Sequence, residues 1–179
     1  MSVPTINFAT LQPAIVWKVN AGAAHLVGPR QSGSTLIHFE TPSGTIETVP
    51  GFEPQFSAKV IFGADWLEFD PDKKHARINM KAVATTEDGK DISFGYEGII
   101  ELNEAVMKIF NMEADSVSVP FGFSKEKAGS HKFHSGDPAL EELQNMTLVG
   151  NGRMLVDEDT RVITVESRIS RVIPATGFD

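Results

Sequence analysis

Two side chains in this 179-residue sequence stand where acid–base chemistry is feasible, Asp65 and Tyr96. Asp65 lies between Ala64 and Trp66 at the end of an apolar strand pattern, and burial beside an indole would raise its carboxyl toward the range of a working general acid or base. The same side chain would equally serve to cap a turn or to bond a neighbouring strand's backbone. Tyr96 is the one tyrosine and shares an apolar face with Ile92 and Phe94. Its hydroxyl could donate to a carbonyl or enolate oxygen, or its ring could simply pack while the hydroxyl bonds a main-chain group. In the last strand pattern Thr164, Glu166, Arg168 and Ser170 share one face. Turned inward, Glu166 and Arg168 would form a charged floor for an acidic or phenolic substrate; turned outward, they would be a solvated surface, the commoner fate of a polar strand face. Lys81 and Arg77 carry the same ambiguity. The candidate catalytic pair is thus Asp65 and Tyr96, with Trp66, Lys81, Phe94, Glu166 and Arg168 as candidate substrate-binding residues.

Other chemistries lack their residues. The chain has no cysteine, which removes disulfides, thiolate metal sites and a cysteine nucleophile. His131-x-x-His134 has a metal-ligand spacing on a helix, but on a strand residues three apart point to opposite faces. There is no His-x-His with a later Glu of the cupin kind, no Gly-rich phosphate loop and no Gly-x-Ser-x-Gly elbow. No cofactor or metal is therefore expected. A net charge of −8 with scattered Lys and Arg would repel a phosphate backbone, and no window approaches the run of about 20 apolar residues that a membrane helix needs. The expectation is a cytoplasmic protein whose partner is a small molecule, with neither nucleic acid nor membrane.

The elements that must position these residues read as strands. Residues 56–69 alternate, with Phe56, Ala58, Val60, Phe62 and Ala64 on an apolar face. Residues 76–86 place Ile78, Met80, Ala82 and Ala84 on one side, and the Asp88-Gly89 turn leads into Ile92–Leu102, which predicts a hairpin. A second hairpin is expected between Thr35–Phe39 and Gly44–Val49 across Thr41-Pro42-Ser43-Gly44. An N-terminal strand is expected around Ile15–Val19, a β-like segment at Val117–Phe123, a polar loop at Lys125–Ser130, and a short strand at His131–Phe133. Thr147–Val156 and Arg161–Ile173 close the chain as strands. Asn103 is the expected N-cap of a short helix burying Val106, Ile109 and Phe110, and Asp137-Pro138 should start another that carries Leu140 and Leu143 inward. Many strands with two short helices predict an all-β domain spanning 1–179, a closed or nearly closed, mostly antiparallel barrel.

Gly63-Ala64-Asp65-Trp66, then Thr86-x-Asp88-Gly89-x-x-Ile92 leading to Tyr96-x-Gly98, then Phe133-x-x-Gly136-Asp137-Pro138 with Leu143-x-Asn145, and Val149-Gly150-x-Gly152, fall in an order that resembles the domain of unknown function 3237 family. The resemblance covers the chain from about Thr35 onward and implies a compact β-barrel, often a homo-oligomer, with no general activity assigned. It further implies a link, through some fungal members, to cofactor-free cyclisation in polyketide and related pathways, including intramolecular addition of a hydroxyl across an alkene. The chain departs from the family where Ser93 replaces a frequent Tyr and Glu142 a frequent Trp. The functional expectation is a cofactor-independent cyclase, isomerase or lyase acting on a small polyketide-like or phenolic molecule. The alternative is a non-catalytic barrel that carries or sequesters one.

Overall fold

Ten strands and two short helical segments make up the computed structural model, which describes residues 6–123 and 128–177. The strands are β1 (Thr10–Asn20), β2 (Ala24–Pro29), β3 (Thr35–Glu40), β4 (Ser43–Thr48), β5 (Ser57–Phe69), β6 (His75–Thr86), β7 (Asp91–Glu101), β8 (Ala128–Ser135), β9 (Leu148–Val156) and β10 (Ile163–Ile173). Every pairing is antiparallel, and eight strands close into a barrel in the order β5, β4, β1, β10, β9, β8, β7, β6 and back to β5. Closure removes the unpaired edges that an open sheet would expose. Among the described residues no helix is long and apolar enough to cross a membrane.

The hairpin expected between Thr35–Phe39 and Gly44–Val49 does not form. β3 and β4 instead run in one direction along a single edge of β5, with Thr35 opposite Phe69, Glu40 opposite Ala64, and Gly44 opposite Val60. They are one long strand kinked at Thr41-Pro42, where proline offers no N–H to the ladder. β1 and β2 repeat the arrangement, pairing with β4 and β3 respectively across the Ala21-Gly22-Ala23 break. The expected β6–β7 hairpin forms in full register, and Gly89 takes the positive φ (80°) its turn requires.

Inward positions form the core. Ile15, Trp17 and Val19 of β1, Ile78 to Ala84 at alternate positions of β6, and Ile92, Phe94 and Tyr96 of β7 are all buried. Residues 56–69 depart from the expected pattern. A bulge between Val60 and Phe62 puts both Ile61 and Phe62 outside, 52% and 62% exposed, and reverses the alternation beyond it. Leu67 and Phe69 are then buried on the inside, and Asp65 rather than Trp66 faces the interior. Glycine within a strand marks such bulges, and Gly63 is the signal in the sequence.

The helix α1 (Glu104–Phe110) forms as expected, with Asn103 Oδ1 accepting from the Val106 N–H at 3.0 Å. Asp137 likewise caps the segment Pro138–Asn145, which is a 3₁₀ rather than an α-helix, a geometry in which Leu140 and Leu143 stack on one side and are buried. Val117–Phe123 makes a single bridge, Val119 to Met154, instead of a strand, because Pro120 cannot donate the next bond. β8 begins earlier than expected, at Ala128. Of the expected polar loop, residues 125–127 lie outside the described residues.

Candidate functional site

One end of the barrel interior holds a cavity of about 50 Å³ lined by Val19, Phe39, Leu67, Ile78, Met154 and Val165, with polar groups from Asp65, Tyr96 and Thr41. α1 covers it: Ile109 and Phe110 form part of its wall, and the Phe110 ring contacts those of Phe39 (6.0 Å) and Phe69 (5.7 Å). Wider depressions lie elsewhere on the described residues, among them ones of about 300 and 1050 Å³ that are open to solvent. The inner cavity is the candidate site because its titratable groups are withdrawn from water among apolar walls, the environment in which such groups acquire unusual proton affinities.

The sheet register brings Asp65 and Tyr96 together. Asp65 is opposite Met80, and Met80 is opposite Tyr96, so all three share one interior row across β5, β6 and β7. Adjacent strands are ~4.8 Å apart, which separates the two backbones by about 10 Å, and both side chains line the cavity with Met80 between them. Burial pushes the Tyr96 hydroxyl well above its ordinary pKa, and the Asp65 charge adds to the effect. Tyr96 thus stays protonated throughout the physiological range.

Behind Tyr96 the core becomes aromatic. Trp17 meets Phe94 edge to face at 4.8 Å, Tyr96 at 5.2 Å and His131 at 5.6 Å. The His131 ring stacks on Tyr96 at 5.0 Å. Burial lowers the His131 pKa to about 4, although the Gly129 carbonyl, 3.2 Å from Nδ1, opposes the shift. His131 is therefore neutral, with Nδ1 donating to that carbonyl and Nε2 turned into the core. As the strand geometry requires, His131 points in and His134 points out.

The remaining sequence candidates do not gather here. Phe94 is buried deeper in the barrel between Trp17 and Phe133. Trp66 is on the outer wall, 39% exposed and against His38. Lys81 also faces outward, in a cross-strand row with Gly95 and Lys132 that lines the smaller outer depression. Glu166 and Arg168 take the outward orientation, since Ser167 and Ile169 occupy the buried inner face. Glu166 is nevertheless only 1% exposed. Arg153 donates to its Oε2 from Nη2 at 2.8 Å and from Nε at 3.2 Å. Arg168 reaches Oε1 from Nη2 at 2.7 Å and from Nε at 2.8 Å. Phe121 lies beneath both guanidinium groups, 5.0 and 5.9 Å from its ring. Desolvation works to raise the Glu166 pKa, but the two arginines together outweigh it and hold the carboxyl below its ordinary value.

Sequence reasoning missed Thr41 and the role of Ile109 and Phe110 as cavity wall. The helix residues were visible as a buried stripe, with nothing in their spacing to say what they cover. Thr41 has the composition of turn punctuation, and Pro42 after it marks the kink at which Thr41 is buried.

Fold and site together define a closed antiparallel barrel that encloses a carboxylate and a phenol under a helical cap. The chain belongs to the family described as protein of unknown function (DUF3237), which matches residues 9–172. Among solved structures it is similar to a conserved protein of unknown function from Rhodopseudomonas palustris, with TM-score 0.73 and 18% identity over 96% of this chain and 100% of that one. A beta-barrel like protein from Acinetobacter baumannii aligns with TM-score 0.64 and 16% identity, over 95% and 99% of the two chains. A structure described as an enzyme from Penicillium herquei aligns with TM-score 0.58 and 15% identity, over 94% and 98%. No match was found among curated proteins.

Proposed function

We propose that this protein is a cofactor-independent cyclase, isomerase or lyase acting on a small polyketide-like or phenolic molecule, with Asp65 as base and Tyr96 as acid. The observation that carries the proposal is the pairing of a carboxylate with a tyrosine held protonated, in a cavity whose other walls are almost wholly apolar. In a hydroxyl-to-alkene ring closure, the Asp65 carboxylate takes the proton from the attacking hydroxyl as its oxygen bonds to the alkene carbon. The Tyr96 hydroxyl hydrogen-bonds the conjugated carbonyl oxygen as that oxygen gains charge. The proton taken by Asp65 returns to the neighbouring carbon, so the product is an isomer of the substrate and no co-reactant is consumed. Apolar walls hold the chain folded near attack geometry.

A benzene-sized ring needs a cavity of about 150 Å³, and the present one is about 50 Å³. Entry of substrate therefore requires α1 to shift and carry Ile109 and Phe110 aside. The same closure favours the second reading, a carrier that sequesters its ligand, which needs shape and apolar walls but no proton transfer. Turnover assays on hydroxylated enone and phenolic polyketide intermediates, with Asp65→Asn and Tyr96→Phe beside the wild type, separate the two. Conversion by wild type that falls by about 100-fold or more in either variant supports catalysis. Tight binding with no conversion by any of the three proteins establishes the carrier.

A further inference from the structure

We infer that Thr41 is a ligand-binding residue of the inner cavity, whose hydroxyl engages the oxygen function of the molecule that Asp65 and Tyr96 face. The inference rests on the reading of that cavity as the binding site. Thr41 is 4% exposed, lines the cavity, and its Oγ1 has no hydrogen-bond partner among the described residues. Buried hydroxyls almost always find a partner, and leaving one unpaired is destabilising.

Its position is fixed by backbone. The Thr41 N–H donates to the Gly63 carbonyl at 2.9 Å, at the kink between β3 and β4. A Cβ at position 63 would lie 2.5 Å from Thr41 Oγ1, so the hydroxyl occupies the space that a side chain at 63 would fill. Gly63 and Asp65 share the inward face of β5, two residues apart. Thr41 therefore presents its hydroxyl, in the gap that glycine leaves, to the cavity that Asp65 also lines. The same threonine is turned inward opposite the bulge that turns Asp65 inward.

The chemistry of the three groups defines what they recognise. A carboxylate accepts, the protonated Tyr96 donates, and a threonine hydroxyl does both. They match a ligand hydroxyl, or a hydroxyl beside a carbonyl, at one end of an otherwise hydrocarbon or aromatic body that fits against Val19, Leu67, Ile78 and Val165. A ligand without the oxygen would leave the Thr41 hydroxyl facing it unpaired, and sites built to bond a ligand hydroxyl reject analogues that lack it.

Phenol and toluene, near-equal in shape and differing in the hydroxyl, are the test pair. Their affinities for wild type, Thr41→Val and Thr41→Ser would be read by calorimetry and by Trp17 emission in a Trp66→Phe background. The expected result for Thr41→Val is a loss of phenol affinity of about 3- to 30-fold with toluene binding unchanged or tighter, while Thr41→Ser retains phenol. The ligand-free valine variant should melt at the same temperature as wild type or a few degrees higher, because the unpaired hydroxyl is gone. Thr41→Ala provides the same deletion should valine disturb the wall. Equal weakening of phenol and toluene, undiminished phenol binding, or a lowered melting temperature that serine restores would overturn the role of Thr41 alone. A wild type that fails to prefer phenol over toluene would overturn it together with the cavity reading.

Discussion

Replacing Glu166 with glutamine removes a charge and almost no volume, so its effect isolates the outer-wall cluster of Glu166, Arg153 and Arg168. Breaking a fully buried ion pair by neutralising one partner costs about 3–5 kcal/mol. Here Glu166 is buried but the Arg153 and Arg168 side chains are 33% and 55% exposed, so water recovers part of the loss. Discounting for that screening leaves about 2–3 kcal/mol. For a chain of this length, where 1 kcal/mol shifts melting by about 2–4 °C, the expected drop is about 4–12 °C at pH 7. The pH dependence is the sharper test. The folded pKa of Glu166 lies below its ordinary value of 4.5, so its contribution is fully present above the unfolded value and is lost as pH falls through the folded one. The gap in melting temperature between wild type and Glu166→Gln should therefore be constant from pH 7 to about 5.5 and narrow steadily below it. Scanning calorimetry of both proteins across this range measures it. A gap that stays the same width down to pH 3, or no gap at all, would refute the account of this cluster as a charge clamp on the barrel wall.

Two further outcomes follow from the interior. Because Tyr96 is the one tyrosine, absorbance near 295 nm titrates it alone; Asp65→Asn should ionise at lower pH than wild type, yet still above the range of free tyrosine, because burial remains. Superimposable titrations would mean that the Asp65 charge is not felt at Tyr96. His131, neutral when folded with a pKa of about 4 against 6.5 unfolded, favours the unfolded chain as pH falls between those values. Its titration should remove up to about 3 kcal/mol of stability from pH 6.5 to 4. In His131→Phe that acid sensitivity should be lost whatever the variant's stability at pH 7, as denaturant melts at both pH values would show.

The alternation of Ile78, Met80, Ala82 and Ala84 and of Ile92, Phe94 and Tyr96, with the Asp88-Gly89 turn between them, was sufficient to specify β6 and β7, their pairing and the face that Tyr96 occupies. A period of two leaves one register when one face is apolar. The helix starts at Asn103 and Asp137 were equally readable, because a capping side chain acts within three residues of itself. Long-range arrangement was not. Thr41-Pro42-Ser43-Gly44 has the composition of a hairpin turn and serves instead as a kink, since β5 is long enough to pair with both β3 and β4 along one edge. Glu166 lies on a polar strand face that looked solvated, yet Arg153 of the neighbouring strand and Arg168 close over its two oxygens, and Phe121, from a segment more than 40 residues away, lies against both guanidinium groups. The decisive case is Asp65. Continued alternation from Ala58 and Val60 would send Trp66 into the lumen and Asp65 to solvent. One extra residue at Ile61-Phe62, accommodated where the barrel wall bends opposite the Thr41 kink, exchanges them. Residue types and periodicity thus determined the strands and the inward face of Tyr96, while the pairing of β5 with β6, through its bulge, decided that Asp65 shares that interior.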